Sequence, residues 1–366
     1  MFDVIIVGAR CAGSPLAMLL ARGGRSVLVV DRAHFPSDTL STHFITPDGV
    51  ELLRTWGLLD RVMATGCPPL HGQARTFQGM VFPANPADPL TICPRRTVLD
   101  KVLVDAAREA GAEVREGAIV ESVIIEDGVA VGIRGRVGDT PFEERAKVVV
   151  GADGRESFVA RQVGAASYNE VEGTTSGYYG YYKNFPAPAP ELYLGGGRAI
   201  FVFPTNDEES CVAIEFAFAR FPGFKTDIEG NIKKALETVP GLGERYAAAT
   251  RNGKLMGLMP HRSFYRKPYG PGWALVGDAG YYRDPLLGQG INDAFRDAAA
   301  LATTLDRTLA GQEAWEPALS AYEQQRNNAT NGIYQVTALL CRDLDPSPEV
   351  LAMLGGPPPS AAEPVA

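Results

Sequence analysis

Residues 8–13 read Gly8-Ala9-Arg10-Cys11-Ala12-Gly13 and lie between the apolar run Val4-Ile5-Ile6-Val7 and a helical stretch over 14–23. Such an apolar run is typical of a parallel strand that is buried on both faces. A second strand of this kind, over 26–30, ends in Asp31. A strand, a glycine-containing turn, a helix and a second strand ending in an acidic residue together predict a Rossmann turn that binds a dinucleotide.

In a turn of this kind the pyrophosphate rests on backbone N–H groups at the start of the helix, where the helix dipole is positive. Asp31 is expected to accept hydrogen bonds from the ribose hydroxyls of adenosine, which favours FAD or NAD over NADP. Arg10 stands where the usual fingerprint has its second glycine, so its side chain either points away from the phosphates or lies over them as a cation. The cofactor-binding candidates of this region are Gly8, Arg10, Cys11, Ala12, Gly13, Asp31 and Arg32.

A second glycine-containing turn follows a strand predicted at 273–276 and begins with Gly277-Asp278. The segment continues through Pro285 to a helix predicted at 290–309. Free N–H groups at such a helix start suit the pyrimidine edge of a flavin, which carries negative charge when reduced. Asp278 is expected to hold a ribitol hydroxyl. The candidates in this segment are Asp278, Pro285, Gly288, Gly290, Ile291 and Asn292.

A third turn between a strand and a helix reads Gly151-Ala152-Asp153-Gly154. Its sequence is equally typical of a capped helix start and of a binding loop. Arg96 precedes Leu99-Asp100 at the start of a helix predicted over 97–110. A lone arginine in such a place is usually a solvated charge. Neither feature predicts a function when it is taken alone.

The four elements, in this order, resemble those of the FAD-dependent hydroxylases with the para-hydroxybenzoate hydroxylase fold. Along the chain they are Gly8 to Gly13 with Asp31, Arg96-x-x-Leu99-Asp100, Gly151-Ala152-Asp153-Gly154, and Gly277-Asp278 through Pro285-x-x-Gly288-x-Gly290 to Asn292. The resemblance covers about residues 1–310. It implies FAD bound along the first domain, with NADH or NADPH as the electron donor. It adds Arg96, Val120, Asp153 and Gly154 to the cofactor-binding candidates.

The resemblance also implies two neighbours of the flavin ring. The segment 39–44 falls where the family brings a loop beside the flavin, so His43 is one candidate. A buried, hydrogen-bonded histidine is the equal alternative for this residue. Pro285 is the other candidate, at the reactive edge of the flavin. No catalytic residue is assigned beyond these two flavin-adjacent candidates.

The fold class that follows is α/β, with a Rossmann-type FAD-binding domain interleaved with a smaller, mainly antiparallel β-sheet substrate domain and followed by C-terminal helices. The sheet domain is predicted because aromatic and β-branched residues alternate between 172 and 220. The predicted boundaries are 1–70, 95–170 and 265–310 for the FAD-binding domain, 71–94 and 171–264 for the substrate domain, 311–354 for a C-terminal helical segment and 355–366 for a disordered tail.

The composition is that of a globular chain, since 45% of its 366 residues are hydrophobic and 21% are charged. The net charge of −8 argues against binding to nucleic-acid phosphates. Five cysteines without a Cys-x-x-Cys spacing fit neither a disulfide framework nor a zinc site. We therefore expect reduced cysteines, no metal and a cytoplasmic location. We also expect a monomer or a homodimer. No apolar run reaches the ~18 residues of a membrane span.

Aromatic residues in the predicted sheet are candidates for lining an apolar substrate cavity. The alternative is that they form the core of the sheet. His261 either faces the pocket or caps a strand. The substrate-site candidates are Tyr179, Tyr181, Phe201, Phe203 and His261.

The family resemblance implies that NADH or NADPH reduces FAD, that O2 forms a flavin C4a-hydroperoxide, and that this species hydroxylates or epoxidises the substrate. We therefore expect a monooxygenase of secondary metabolism acting on an apolar, aromatic or polyketide-like small molecule. An FAD-dependent reductase of the geranylgeranyl reductase type is the first alternative. Phe201-Val202-Phe203-Pro204 is loosely similar to a strand motif of those enzymes, but the expected Tyr and Trp are absent. A non-catalytic flavin-binding protein is the second. A flavin halogenase is disfavoured because the chain has no Trp-x-Trp-x-Ile-Pro motif and no matching lysine.

Overall fold

Two large sheets are built from strands that lie far apart in the chain. The computed structural model describes residues 1–355. The strands are β1 (Phe2–Val7), β2 (Val27–Asp31), β3 (Leu70–His71), β4 (Ala74–Phe77), β5 (Met80–Phe82), β6 (Leu90–Thr91), β7 (Glu113–Glu116), β8 (Ala118–Glu126), β9 (Val129–Val137), β10 (Thr140–Gly151), β11 (Ser167–Val171), β12 (Thr175–Lys183), β13 (Glu191–Leu194), β14 (Arg198–Pro204), β15 (Glu209–Ala217), β16 (Thr250–Leu258), β17 (Ser263–Arg266), β18 (Tyr269–Gly270), β19 (Trp273–Leu275) and β20 (Tyr281–Tyr282).

Helices cover the faces of both sheets. They are α1 (Gly13–Arg22), α2 (Pro47–Thr55), α3 (Leu59–Met63), α4 (Arg96–Glu109), α5 (Phe158–Gln162), α6 (Phe221–Phe224), α7 (Ile228–Glu237), α8 (Leu242–Ala248), α9 (Gly290–Leu309), α10 (Trp315–Arg342) and α11 (Pro348–Met353). The mixture of helices with parallel and antiparallel sheet confirms the predicted α/β class.

The first sheet brings the three predicted turns together. Its strand order is β18-β19-β10-β1-β2-β7, with β9 and β8 attached through β10. β1 pairs in parallel with both β10 and β2, and β10 pairs in parallel with β19. Val7, Gly151 and Leu275 are register partners at the carboxyl ends of β1, β10 and β19. The turns that follow these strands therefore leave the sheet side by side at one edge, where α/β folds bind ligands.

The interior of this sheet explains its apolar strands. Val4, Ile5 and Ile6 are fully buried. One face of the sheet packs against α1, α4 and α9, and the other packs against α5 and the β8–β9 hairpin. Because both faces are covered, β1 and β2 need apolar side chains at every position rather than at alternate ones.

Two predicted elements differ from the structure. The sequence of residues 48–64 predicts one helix, but the structure has two, α2 and α3, because Gly57 takes a left-handed φ of +74° between them. The apolar residues 147–150 predict a short buried strand, but they are only the end of β10. β10 begins at Thr140 and pairs with β9 in antiparallel fashion before it enters the parallel sheet.

The second sheet has the order β16-β12-β15-β14-β13-β4-β5. All its pairs are antiparallel except β13 with β4. Side chains alternate between its faces, so Tyr178 and Tyr182 of β12 pack toward α7 and α8. Tyr179 and Tyr181 point to the opposite face, which is covered by the second half of α10 and by Phe44.

A small third sheet, of β11, β17 and β20, connects the two larger ones. Its strands contain residues on both sides of the predicted domain boundaries at 170–171 and 264–265, so those boundaries stay predictions. Arg326 of α10 is buried and donates to the carbonyl oxygens of Gly280 and Arg266 at 2.9 and 3.0 Å. This arginine attaches α10 to the turn that follows β19.

The remaining predictions concern cysteines, metals, membranes and the tail. All five cysteines are buried and free, which confirms them as small apolar residues. Within residues 1–355, no helix combines the length and apolar character that a membrane crossing requires, and no cluster of metal-ligating side chains is present. Gly355 belongs to the turn after α11, and the rest of the predicted disordered tail, 356–366, lies outside the described residues.

Candidate functional site

The turn after β1 leaves no room for a side chain at two of its glycines. Gly8 has a φ of +106°, and a Cβ atom there would lie 2.3 Å from the Ala152 carbonyl oxygen. A Cβ atom at Gly13 would lie 1.8 Å from the Gly8 carbonyl oxygen. Glycine at both positions therefore lets the start of α1 pack directly against the ends of β1 and β10.

A backbone N–H group at the start of α1 is open to an acceptor. Ala12 precedes the helix and provides no side-chain cap. The Ser14 N–H donates to the Arg10 carbonyl oxygen at 3.1 Å. Because Pro15 has no N–H, the donor left open by residues 1–355 in the first turn is the Gly13 N–H.

Asp31 lies beside this turn, where its Oδ2 accepts from the Ala9 N–H at 2.7 Å and its Oδ1 from the Ala33 N–H at 2.8 Å. Each of these oxygens keeps a second lone pair for a ribose hydroxyl. Arg32, the next residue, is exposed.

Asp100 of α4 is fully buried and accepts hydrogen bonds from both candidate arginines, Arg10 and Arg96. Arg10 donates to its Oδ2 at 2.6 Å and to Ser37 Oγ at 2.7 Å. Arg96, far from being solvated, is buried and donates to both Asp100 oxygens at 3.0 Å. Cys11 Sγ lies 3.4 Å from Asp100 Oδ1. This geometry favours the interpretation in which Arg10 points away from the phosphates, and it makes Arg96 part of a buried ion cluster.

The turn after β19 and the start of α9 border one small pocket, whose lining includes Asp278, Arg283 and Gly290. Burial raises the pKa of Asp278 to about 6, against the opposing positive charges of Arg155 and Arg96. A Cβ atom at Gly290 would meet no other atom, and α9 begins without a side-chain cap. A carboxyl group and an uncapped helix start therefore face the same space.

The Asp153 carboxylate accepts its hydrogen bonds from the nearby residues 157–159. Its Oδ2 accepts from the Phe158 and Val159 N–H groups at 2.7 and 3.1 Å, and its Oδ1 accepts from Ser157 Oγ at 2.5 Å. The capped helix start is therefore the interpretation that the geometry supports for this side chain. Gly154, with a φ of +81°, makes the turn itself.

Asn292 ties the start of α9 to the loop that contains His43. Its Oδ1 accepts from the Thr46 N–H at 3.0 Å, and its Nδ2 donates to the Phe44 carbonyl oxygen at 3.4 Å. Gly288 lies beside Phe44 with a φ of +64°. The role of Asn292 in the structure is thus to position the loop. Of the other candidates, Ile291 is buried in the first core, and Val120 packs against the core on the opposite face of the sheet.

His43 is fully buried and adopts a left-handed φ of 61°. Its Nε2 lies 2.7 Å from the Tyr181 hydroxyl, and Arg95 lies over the Tyr181 ring at 3.5 Å. Burial, with Arg96 and Arg95 adding to it, lowers the pKa of His43 to about 3. The imidazole is therefore neutral at pH 7, and the hydrogen-bonded alternative for His43 is the one observed.

This lowered pKa predicts acid sensitivity. Unfolded His43 takes up a proton below its ordinary pKa of about 6.5, whereas folded His43 does not until about pH 3. Stability is therefore lost as the pH falls through this window. We expect the wild type to lose about 2 kcal/mol more than His43→Gln between pH 7.5 and pH 5, measured by urea unfolding. His71→Gln, at an exposed histidine, is the control and should keep the wild-type acid sensitivity. Equal losses in all three proteins would contradict the prediction.

Four of the five substrate candidates come together on one face of the second sheet. We call them the aromatic wall: Tyr179, Tyr181, Phe201 and Phe203. All four are buried, and the wall contacts Phe44 and Leu286, the neighbours of His43 and Pro285. Phe44 stacks on Phe203 with ring centroids 6.0 Å apart. The wall therefore lies beside both predicted flavin neighbours.

His261 does not join the aromatic wall. Its ring meets Tyr282 edge-on at 6.4 Å, and burial together with Arg155 lowers its pKa. It lies in the loop that precedes β17, a strand of the small third sheet. The strand alternation that identified the wall carries no information about this residue, because His261 lies in a loop.

Three residues that the sequence interpretation did not select lie among these groups. Arg95 contacts the aromatic wall through Tyr181 and pairs with Glu209 at 3.0 Å. Arg283 is buried next to Asp278 and pairs with Asp293 at 2.8 Å. Glu215 is buried on the wall's own sheet face. The only sequence signal for Glu215 is that it is the one charged residue in an apolar run.

The fold and the uncapped helix starts at one sheet edge define a dinucleotide-binding flavoprotein. The chain belongs to the family described as FAD binding domain, which matches residues 1–337. FAD is its cofactor, NADH or NADPH is the electron donor typical of this family, and the protein is an FAD-dependent oxidoreductase.

Three relatives show the range of reactions in this family. The chain is 25% identical over 93% of its length to a 1H-pyrrole-2-carbonyl-[peptidyl-carrier protein] brominase of Pseudoalteromonas luteoviolacea, covering 85% of that protein. It is 27% identical over 90% to a digeranylgeranylglycerophospholipid reductase of Methanocella arvoryzae, covering 83%. It is 24% identical over 93% to a 6-methylpretetramide 4-monooxygenase of Streptomyces rimosus, covering 84%.

A solved structure shows the same fold. PqsL, a probable FAD-dependent monooxygenase from Pseudomonas aeruginosa, superposes with a TM-score of 0.83 at 23% identity, over 97% of this chain and 99% of that one. The predicted resemblance to the FAD-dependent hydroxylases is therefore confirmed at the level of the family and the fold.

Proposed function

We propose that the protein is a monooxygenase that uses NADH or NADPH and O2 to hydroxylate or epoxidise an apolar, aromatic or polyketide-like small molecule. The observation that carries this proposal is the aromatic wall, a buried face beside the loop of His43 and the Pro285 turn. Aromatic side chains along one face of a cavity suit a flat, apolar substrate. The relative named for 6-methylpretetramide supports the same substrate class.

The proposed FAD site follows from the groups that lack partners within the chain. The pyrophosphate would lie on the N–H groups at the start of α1, with the adenosine ribose at Asp31. Asp278 would bind the ribitol chain, and the start of α9 at Gly290 would face the pyrimidine edge of the flavin. FAD supplies the electron transfer and the activation of O2. The chain binds and orients FAD, and its apolar wall excludes water from the reacting groups.

Halogenation is a second candidate because of the brominase relative. Against it, no lysine among residues 1–355 is buried. Lys101, which is less exposed than the others, pairs with Asp105 on α4. Reduction of a prenyl chain is a third candidate because of the reductase relatives. The aromatic wall favours a ring over a flexible chain, so reduction ranks below oxygenation, and the absence of a buried lysine among residues 1–355 ranks halogenation below it.

Labelled oxygen separates these reactions. FAD-loaded protein would be mixed with NADH or NADPH, ¹⁸O2, bromide and a panel of naphthols, indoles and aromatic polyketides. We expect oxidation of the nicotinamide to be faster with one member of the panel and its product to carry an ¹⁸O atom by mass spectrometry. A product that gains bromine, or one that gains hydrogen without O2, would replace the proposal with halogenation or reduction. A protein that takes up no FAD would overturn all three.

A further inference from the structure

A buried carboxyl group lies on the same sheet face as the aromatic wall. Glu215 of β15 is only 3% exposed. Its register partners are Gly177 on β12 and Ala199 on β14, and Ala213 precedes it on the same face. All of these neighbours are small, so no bulky side chain of the sheet lies beside the Glu215 carboxyl group on this face. The wall residues Tyr179 and Phe201 lie two residues further along the two neighbouring strands, on the same face.

Asp284, which immediately precedes Pro285, is the partner of Glu215. The two carboxyl groups are within hydrogen-bond range of each other. Each Asp284 oxygen already accepts one hydrogen bond: Oδ2 from Thr175 Oγ1 at 2.7 Å and Oδ1 from the Leu286 N–H at 3.0 Å. Two carboxyl groups this close hold one proton between them.

No positive charge compensates this pair among residues 1–355. Neither carboxylate forms a salt bridge with a described residue, and the neighbouring Arg283 directs its guanidinium to Tyr281 and Asp293. Three further titratable groups lie around the pair. The Cys341 thiol of α10 and the Tyr282 phenol have pKa values raised by burial and by the acidic charge. The half-buried His261 imidazole has its pKa lowered by burial and Arg155, against the opposing charge of Asp284. A small cavity bounded by Ser263, Thr337 and Cys341 lies on the α10 side of Asp284.

The protonation of Glu215 follows from these contacts. Burial, with the Asp284 charge adding to it, raises the pKa of Glu215 well above its ordinary value. The Glu215 Oε1 atom is buried and receives no hydrogen bond from another described residue. The proton therefore resides on Glu215 and is donated to Asp284, which leaves the buried Glu215 Oε1 atom as an acceptor without a donor.

We propose that the Glu215–Asp284 pair is a polar subsite at the end of the aromatic wall, where Glu215 accepts a hydrogen bond from a phenolic hydroxyl or an aromatic N–H of the substrate. The inference rests on the proposed function in placing an aromatic substrate against this wall. A hydroxyl or N–H substituent also makes a ring electron-rich, which is the property that an oxygenation of this kind requires. Glu215 is thus a specificity-determining residue.

Matched ligand pairs test the subsite. FAD-loaded protein would be titrated with 1-naphthol and 1-methoxynaphthalene, and with indole and 1-methylindole, following the flavin absorbance and the heat of binding. Because an unpaired buried acceptor loses a hydrogen bond with the methylated member, we expect the wild type to prefer 1-naphthol or indole by about tenfold. Glu215→Leu should reduce this preference to less than about twofold. Glu215→Gln should retain it, since the amide can donate to Asp284 and still accept from the ligand.

Three outcomes would overturn the subsite: equal binding within both pairs, an unchanged preference in Glu215→Leu, or no binding of any of the four probes. The proposed function is judged separately, from NADPH oxidation and O2 consumption in the same preparations. A preference that depends on Glu215, without O2 consumption, would keep the subsite and reject the monooxygenase. O2 consumption stimulated by an aromatic substrate, without the preference, would do the reverse.

The shared proton can also be tested without a ligand. A carboxyl group whose folded pKa is raised stabilises the fold fully only below its unfolded pKa, and this contribution is lost as the pH rises toward the folded pKa. Across that window the wild type loses about a factor of ten in its folding equilibrium constant for each pH unit. Glu215→Gln carries no such proton. We expect its melting temperature to gain on the wild type between pH 5 and pH 8, and a constant difference would contradict the shared proton.

Discussion

Replacing Asp100 with alanine is expected to lower the free energy of unfolding by about 3–5 kcal/mol. Asp100 is fully buried and accepts hydrogen bonds from Arg96 and Arg10. Arg96 is itself buried, so its guanidinium would lose its partner without gaining water. A buried charge without a partner costs far more than the intact pair contributes. Most of the expected loss in stability therefore comes from the unpaired Arg96 guanidinium. Urea unfolding of the FAD-loaded protein measures it.

The same helix provides the control for this prediction. Asp105 pairs with Lys101 at 2.5 Å, but these side chains are 30% and 40% exposed, so neither charge is buried. Asp105→Ala should therefore change the free energy of unfolding by less than about 1 kcal/mol. Similar losses in Asp100→Ala and Asp105→Ala would show that the buried cluster does not contribute as argued.

Substituting Gly13 with alanine is expected to abolish the retention of FAD and to destabilise the protein by about 3 kcal/mol or more. The added Cβ atom would lie 1.8 Å from the Gly8 carbonyl oxygen and 3.2 Å from the Ala152 Cβ atom. Neither the carbonyl nor the strand end can move alone, so α1 has to shift away from the sheet. Its N–H groups would then leave the proposed pyrophosphate position. The ratio of flavin to protein absorbance after gel filtration measures the loss.

Gly332 offers a matched glycine elsewhere in the chain. It lies exposed within α10, and a Cβ atom there would meet no other atom. Gly332→Ala should retain full FAD and gain about 0.5–1 kcal/mol, because alanine loses less backbone entropy in a helix. If Gly13→Ala retained as much FAD as Gly332→Ala, the close packing would not be essential for binding.

Much of the fold could be predicted because each strand or helix leaves a pattern in a few neighbouring residues. The apolar run before Gly8 and the acidic end of β2 at Asp31 each depend on only a few neighbouring residues. Helix α9 was predicted at 290–309 and is observed there, since its apolar spacing and its glycine start are both visible in the sequence. The break at Gly57 was missed because the apolar spacing continues across it and does not reveal a positive φ.

The candidate site was predictable only in part, because its contacts connect distant segments. Arg10 and Asp100 are 90 residues apart in the chain, and nothing in the spacing indicates that they meet. Alternation along β12 placed Tyr179 and Tyr181 on a common face, but it could not show that Glu215 lies on that face too. That placement depends on the register of β15 against two other strands. Asp153 is the opposite case, because the contacts of its side chain are local: it accepts a hydrogen bond from the start of α5, only five residues further along the chain.

The strand order of the first sheet also governs how the protein is made. β1 leaves the ribosome well before its partner β10, which ends at Gly151, and before β19, which completes this part of the sheet and ends at Leu275. The two halves of the proposed cofactor cradle, at the starts of α1 and α9, are likewise separated by most of the chain. Until β10 has emerged, a nascent chain therefore carries β1 as an apolar strand with an open edge. In the proposed FAD site, which uses the starts of both α1 and α9, cofactor uptake would have to wait until α9 has emerged.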